Sequence, residues 1–290
     1  MKLATFTHED MTRIGVVIDD IIVDTQDAPN IPMGMRDLLA GGQIMMGELR
    51  RHVAESKITI PLSDVHLEAP VQDPQKYLAV GLNYRDHVEE VGGTPPEYPS
   101  FFNKQVTCVN GPYDPIHKPR VSEHLDYECE LGIVIGKRCR HVPRDKAEQV
   151  IAGYTICNDV SVRDWQRRSP TTTLGKSWDT HGPVGPWIVT TDELGDPHNL
   201  DLRTDVNGEM RQETNSKYLI HDCFDQIAYL STVCTLLPGD IISTGTTSGV
   251  AHAMRPTPGW LKIGDRVRVT IEKLGHIENE VIAEPDNVLY

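Results

Sequence analysis

Glu128 and Glu130 stand two apart in Leu125-Asp126-Tyr127-Glu128-Cys129-Glu130-Leu131-Gly132-Ile133-Val134-Ile135-Gly136, whose second half is apolar on both faces and rich in β-branched residues. Such a run reads as a buried strand. Side chains alternate across a strand, so Asp126, Glu128 and Glu130 share one face. Carboxylates gathered at the mouth of a buried strand repel each other and lose hydration, and a bound cation relieves both costs. An acidic strand end that looks into water accounts for the same residues without an ion. Asp159, closing the apolar strand 153–159, supplies a third oxygen ligand if the two strands are neighbours. An all-carboxylate set suits hard cations, Mg²⁺ first and then Mn²⁺ or Ca²⁺. The 12 histidines form no His-x-x-x-His pair, so zinc spacing is absent.

His87 and Glu90 lie three apart on a short helix, hence on one face. A carboxylate beside an imidazole raises its basicity, the arrangement needed to activate a water. A solvent-exposed helix pair is the plain alternative. Arg163 and Gln166, also three apart, and Lys176 follow Asp159 closely and offer donors to a carboxylate and a keto oxygen. A solvated helix face with a loop lysine explains them equally well. The small-residue loop Ser243-Thr244-Gly245-Thr246-Thr247-Ser248-Gly249 offers a hydroxyl and backbone N–H groups to an anion, or is a plain turn. It lacks the Gly-Lys-Ser/Thr ending of a phosphate-binding loop.

Residues 1–24 form a meander with strands at 13–18 and 21–24, followed by a helix over 35–54 and a proline-punctuated connector over 61–75. A boundary near residue 70 separates a small N-terminal α+β domain, 1–70, from a main domain, 71–290; the first carries no clustered polar chemistry. Strand 77–82 leads into a short helix with Asn83 as N-cap and Gly92-Gly93 as stop. So short a helix between flexible joints suits a lid. Helical character returns at 144–151 and 160–168, and 223–237 is the best long helix. The Gly/Pro-rich run 174–187 reads as mostly loop, and strands are expected at 187–190, 201–206, 240–243 and 266–271. With no regular βαβα alternation, the main domain is mixed and strand-rich rather than a doubly wound sheet.

Composition narrows the partners. Across 290 residues, 39% are hydrophobic and 24% charged, an ordinary globular balance. The 28 basic and 42 acidic residues leave a net charge of -14, which repels nucleic acid and anionic lipid. A local cluster of cations or a metal still permits a small anionic substrate. The 6 cysteines show no Cys-x-x-Cys pair and sit in apolar runs, as in a reducing compartment. No apolar run approaches the ~20 residues that span a bilayer, and the N-terminus carries no signal pattern, so a cytoplasmic location is expected.

Taken together in order, several stretches resemble the fumarylacetoacetate hydrolase superfamily, in particular its acylpyruvase-like branch with a separate N-terminal domain. They are Gly81-Leu82-Asn83-Tyr84-Arg85-Asp86-His87-Val88-Glu89-Glu90, Tyr127 to Gly136, Asn158-Asp159-Val160-Ser161-Val162-Arg163-Asp164-Trp165-Gln166, Gly175-Lys176-Ser177-Trp178-Asp179-Thr180, Gly185-Pro186, and Pro238-Gly239-Asp240-Ile241-Ile242-Ser243-Thr244-Gly245-Thr246. The resemblance implies a layered mixed β-roll, commonly a homodimer, in which Glu128, Glu130 and Asp159 hold Mg²⁺ or Mn²⁺. It implies that His87 and Glu90 ride on a lid helix as a water-activating dyad. It also implies that Arg163, Gln166, Lys176 and Thr246 surround the oxygens of a 2-oxo acid, with Lys104 nearby. Fumarylacetoacetate hydrolase itself carries a further ligating Asp seven positions before its catalytic His; here that position is Val80, which favours the branch with three carboxylates.

The activity expected from this is hydrolytic C–C cleavage of a 2,4-dioxo acid of the acylpyruvate or fumarylpyruvate type, yielding pyruvate and a carboxylic acid. Decarboxylation, enol–keto isomerisation and dehydration of a sugar-derived 2-oxo acid use the same electron sink. A non-catalytic relative that keeps only the metal cage is the alternative of another class. The pocket for the substrate's tail is expected from 92–100 and 168–174.

Overall fold

Cys129–Ile135 is buried at every position because it lies inside a twelve-stranded sheet with a packed layer on each face. The computed structural model describes residues 1–286. Along the sheet the strands run Thr59–Pro61, Ile21–Asp24, Met11–Ile18, Lys2–His8, Gly182–Thr190, Ile151–Asn158, Cys129–Ile135, Ile241–Ser243, Tyr77–Gly81 and Ser100–Lys104. His66–Glu68 joins on Lys2–His8 and Val109–Asn110 on Gly182–Thr190. A second sheet of five strands runs Glu209–Asn215, Asp201–Val206, Arg266–Ile271, Gly275–Ala283 and Ile116–Lys118. The fold is mixed and strand-rich, in layers.

Alternation decides which core each residue enters. Leu131, Ile133 and Ile135 pack with Val267, Val269 and Ile277 of the five-stranded sheet and with Ile227 of the helix Cys223–Val233. Val134, on the opposite face, packs with Leu38 and Leu49 of the N-terminal helices. Each such fully buried aliphatic side chain contributes about 1.5–3 kcal/mol. Glu128 and Glu130 share the parity of Val134, so the acidic face is covered by protein.

Residues 1–70 contribute five strands, two α-helices and a 3₁₀ turn, and Lys2–His8 pairs antiparallel with Gly182–Thr190. The helix expected over 35–54 is two, Met35–Ala40 and Gly42–Glu55, since Gly42 takes a left-handed φ of 57° between them. Arg144–Val150 is 3₁₀, and the helix expected over 160–168 is only the turn Arg163–Gln166, preceded by the strand Ser161–Val162. The run 174–187 is more ordered than its glycines and prolines suggest. It begins within the turn Thr173–Lys176 and ends within Gly182–Thr190, where Pro186 falls at an irregularity in pairing that spares it a donor's role. Among the described residues no helix is long and apolar enough to cross a membrane.

Candidate metal centre and active site

The antiparallel register places Cys129 opposite Asn158 and Glu130 opposite Cys157, so the chain leaving Ile151–Asn158 meets the chain entering Cys129–Ile135. There the Asp159 N–H donates to the Glu128 carbonyl at 3.0 Å, and the Glu128 N–H to Asn158 Oδ1 at 3.0 Å. These bonds gather one carboxylate oxygen each from Glu128, Glu130 and Asp159 within 4.8 Å of one another, all three residues buried. The strands are neighbours, as the ligand set requires.

Cations surround the trio. Lys176 Nζ lies 2.6 Å from Glu128 Oε2 and 2.8 Å from Asp159 Oδ2, and Lys104 Nζ lies 2.5 Å from Asp159 Oδ1. Arg163 is held by acidic and amide side chains. Its Nε donates to Asp126 Oδ2 at 2.8 Å, and its Nη2 makes a charge contact with Glu128 Oε1 at 2.6 Å. Its Nη1 donates to Gln166 Oε1 at 3.1 Å, so the guanidinium is already engaged on three sides. Asp126, which shares the acidic face in the sequence, turns instead to Arg163 and to the N–H groups of Ala251 and His252.

Glu130 has no ion pair among the described residues; its Oε2 accepts from the Ser243 hydroxyl at 2.6 Å and the Gly245 N–H at 2.8 Å. Burial, then repulsion from Asp159 and Glu128, pushes its carboxyl well above the usual range. Burial alone would also raise Glu128, but Lys176 and then Arg163 outweigh it and hold that carboxyl down to about 2. Burial opposes the charge of Lys104 as well, yet Asp159 more than compensates and its ammonium is held above the ordinary value. With Asp126 counted, four buried carboxylates face three cations. An oxygen-only donor set with surplus negative charge fits a hard divalent cation, so Glu128, Glu130 and Asp159 are suited to hold Mg²⁺ or Mn²⁺.

His87 and Glu90 sit on the helix Arg85–Glu90. His87 Nδ1 lies 3.1 Å from Glu90 Oε2; the carboxylate only accepts, so Nδ1 carries the proton and Nε2 presents a lone pair. Glu90 Oε1 accepts from the Gly249 N–H at 2.8 Å, which aims the carboxylate. The helix does not hang between free joints. The Asp86 carboxylate accepts from the His87 N–H and from the Thr247 and Ser248 hydroxyls, the latter two at 2.6 and 2.9 Å. Asn83 is not the N-cap, which is Tyr84; its side chain bonds instead to the backbone of His221 and Thr244.

The structure thus joins Lys104, Glu128, Asp159, Arg163, Gln166 and Lys176 in one bonded cluster, with Glu130 beside it. It brings His87 and Glu90 to the loop that follows Ser243–Gly245. Thr246, buried, stands in that loop and accepts from Gln212 Nε2 at 2.9 Å. Asp86 and Gln212 were given no role from the sequence, Asn83 was read only as a helix cap, and Asp126 only as a neighbour of Glu128 on the acidic face. Asp86 and Asn83 lie in a motif that could have flagged them, whereas nothing around Gln212 in Glu209–Asn215 distinguishes it. A cavity of about 650 Å³ borders Thr173, Leu174 and Trp178; none of the predicted site residues line it, nor does any of residues 92–100.

Against known proteins, a family model described as Fumarylacetoacetate (FAA) hydrolase C-terminal matches residues 76–282. The chain is similar to the mitochondrial oxaloacetate tautomerase Fahd2a of Rattus norvegicus, 42% identical over 255 residues, covering 88% of this chain and 81% of the relative. It is similar in structure to maleylpyruvate hydrolase from Sphingobium sp. SYK-6, solved with manganese(II) and pyruvate, at a TM-score of 0.84 and 34% identity, covering 98% of this chain and 100% of that one. It is likewise similar to 5-carboxymethyl-2-hydroxymuconate delta-isomerase from Mycobacterium smegmatis, at a TM-score of 0.79 and 36% identity, covering 99% and 100%.

Proposed function

This chain belongs to the fumarylacetoacetate hydrolase family, and from that premise we propose that it hydrolyses a C–C bond of a 2,4-dioxo acid of the acylpyruvate type, releasing pyruvate and a carboxylic acid. The observation that carries this reading is the His87–Glu90 pair at 3.1 Å, a base with its proton-bearing nitrogen already committed. Mg²⁺ or Mn²⁺, when held by Glu128, Glu130 and Asp159, supplies Lewis acidity at the 2-oxo acid end of the substrate. His87 Nε2 takes a proton from water, Glu90 stabilises the imidazolium that forms, and the water oxygen adds to the C4 carbonyl. As the C3–C4 bond breaks, its electron pair moves toward the C2 oxygen, and C3 then receives the proton from His87. Lys176 and Lys104 place two ammonium groups beside that end of the site, where negative charge develops.

A second reading is favoured by the 42% identity to a protein named an oxaloacetate tautomerase. In it the same imidazole carries a proton between C3 and the C2 oxygen of a 2-oxo dicarboxylate, with no water consumed. Turnover of acetylpyruvate followed by proton NMR separates the two. Hydrolysis yields pyruvate and acetate at a rate that falls by about 10²-fold or more in His87→Asn. Faster enol–keto exchange of oxaloacetate with no acetate released would replace the first reading by the second. Rates unchanged by His87→Asn would remove the pair from either.

A further inference from the structure

Gln212 reaches the site from Glu209–Asn215, a strand of the five-stranded sheet, and its side chain is buried with every polar valence used. Its Oε1 accepts from the Cys129 N–H at 2.9 Å and the Thr204 hydroxyl at 3.0 Å. Its Nε2 donates to Thr246 Oγ1 at 2.9 Å and to the Thr247 carbonyl at 3.1 Å. Two of these partners fix the amide's orientation. A backbone N–H can only donate, so the atom facing Cys129 is the oxygen; a backbone carbonyl can only accept, so the atom facing Thr247 is the nitrogen. Thr246 therefore receives a hydrogen bond, and its own hydroxyl proton is left to give.

No other group among the described residues bonds to Thr246 Oγ1. The residue before it, Gly245, holds Glu130, and the residue after it, Thr247, holds Asp86 of the base helix. The hydroxyl thus belongs to the loop residue between the one that holds Glu130 and the one that holds the helix of His87. Were the amide reversed, Thr246 would spend its proton on Gln212 and present lone pairs, which repel an anion.

We propose that Gln212 is a positioning residue that sets the Thr246 hydroxyl as a donor to an oxygen of the bound 2-oxo acid. The inference rests on the reading of the site as one for 2-oxo acids. It gives the five-stranded sheet a part in substrate binding that its distance in sequence from the other site residues conceals.

Oxalate, a two-oxygen analogue of a 2-oxo acid, is titrated calorimetrically into the Mg²⁺-loaded protein, its Gln212→Met and Thr246→Val variants, and the double variant. The expected result is a loss of about tenfold in affinity for each single change and no further loss in the double, since one donor is being removed twice. Steady-state kinetics should show the same loss in KM rather than kcat. Equal and additive losses, or wild-type affinity in folded Gln212→Met, would overturn the proposal. Oxalate that fails to bind the wild-type protein would count against the 2-oxo acid reading itself, a separable outcome. If Gln212→Met does not fold, Gln212→Glu takes its place. Its acid form can donate to Thr246 but its carboxylate only accepts, so oxalate affinity should fall with rising pH relative to wild type. A parallel profile would overturn the proposal equally.

Discussion

The Asp86 carboxylate accepts the Thr247 hydroxyl at 2.6 Å, tying the helix that carries His87 to the loop whose Gly245 N–H holds Glu130. A helix as short as Arg85–Glu90 has no stability of its own, so its place is set by such tethers. Asp86→Ala removes the Thr247 and Ser248 contacts together while leaving His87 and Glu90 intact. We expect kcat to fall by about 10²-fold, the scale of a displaced catalytic group, with oxalate affinity retained. Hydrogen exchange should show residues 85–91 losing protection in that variant. Unchanged exchange would mean that the Glu90–Gly249 bond holds the helix alone.

Lys176 bridges Glu128 and Asp159 from within the protein, so its removal leaves each of these buried carboxylates with one cation, Arg163 and Lys104 respectively, and none between them. Lys176→Met should cost about 3–5 kcal/mol of stability in metal-free buffer, measured by urea unfolding. Adding Mg²⁺ should restore part of that loss, because a cation among Glu128, Glu130 and Asp159 relieves the same repulsion. Turnover should nonetheless stay about 10²-fold below wild type, since the ammonium is absent when charge develops. Full recovery of both stability and rate on adding metal would reduce Lys176 to a counter-ion.

The carboxylate trio was legible because it depends on short-range rules. Alternation puts Glu128 and Glu130 on one face, and Asp159 ends an apolar strand long enough to be the neighbour. The pairing of Arg163 with both Asp126 and Glu128 was not legible. A sequence records that an arginine follows an aspartate, but not which acid it will reach once strands Leu125–Asp126 and Ser161–Val162 pair. Asn83 misled for a similar reason. Its type predicts a local cap, yet the backbone of His221 and Thr244 competes for its amide and wins. Pro183 and Pro186, in the run 174–187, announced a loop, because which backbone donors a strand needs is fixed only by its neighbours.

Gly175 is the contact point between the turn that presents Lys176 and the turn that presents Gln166. A Cβ there would meet the Gln166 backbone N and Cα at 2.4 Å, and backbone cannot rotate out of the way as a side-chain tip can. Gly175→Ala should therefore force the two turns apart, destabilising the fold by about 1–3 kcal/mol. The larger effect should fall on activity, since Lys176 and Gln166 lose their mutual placement. Thermal unfolding and turnover measured together test this, and a variant with normal activity would show that the turns can separate without harm.

His181 supplies an acid-sensitive element behind the site. It is buried, its Nε2 donates to the His117 carbonyl at 2.8 Å, and its Nδ1 has no partner among the described residues. Burial, reinforced by the nearby Lys104 and opposed by the bond to His117, lowers its pKa to about 3. In the unfolded chain the same imidazole titrates near the ordinary value of about 6.5. Above that pH both states are neutral and His181 has no effect on stability. Between about 6.5 and 3 the unfolded chain binds a proton that the folded protein refuses, so stability falls as pH falls through this window. The loss reaches about 2 kcal/mol by pH 5. His181→Gln, which can keep a donor toward His117 but cannot titrate, should therefore lose less stability than wild type between pH 7 and pH 5 in urea unfolding. Because the carbonyl of His181 also accepts from Lys104 at 3.0 Å, protonation here would place a second positive charge beside the ammonium that holds Asp159. Parallel pH profiles for variant and wild type would assign the acid sensitivity to another group.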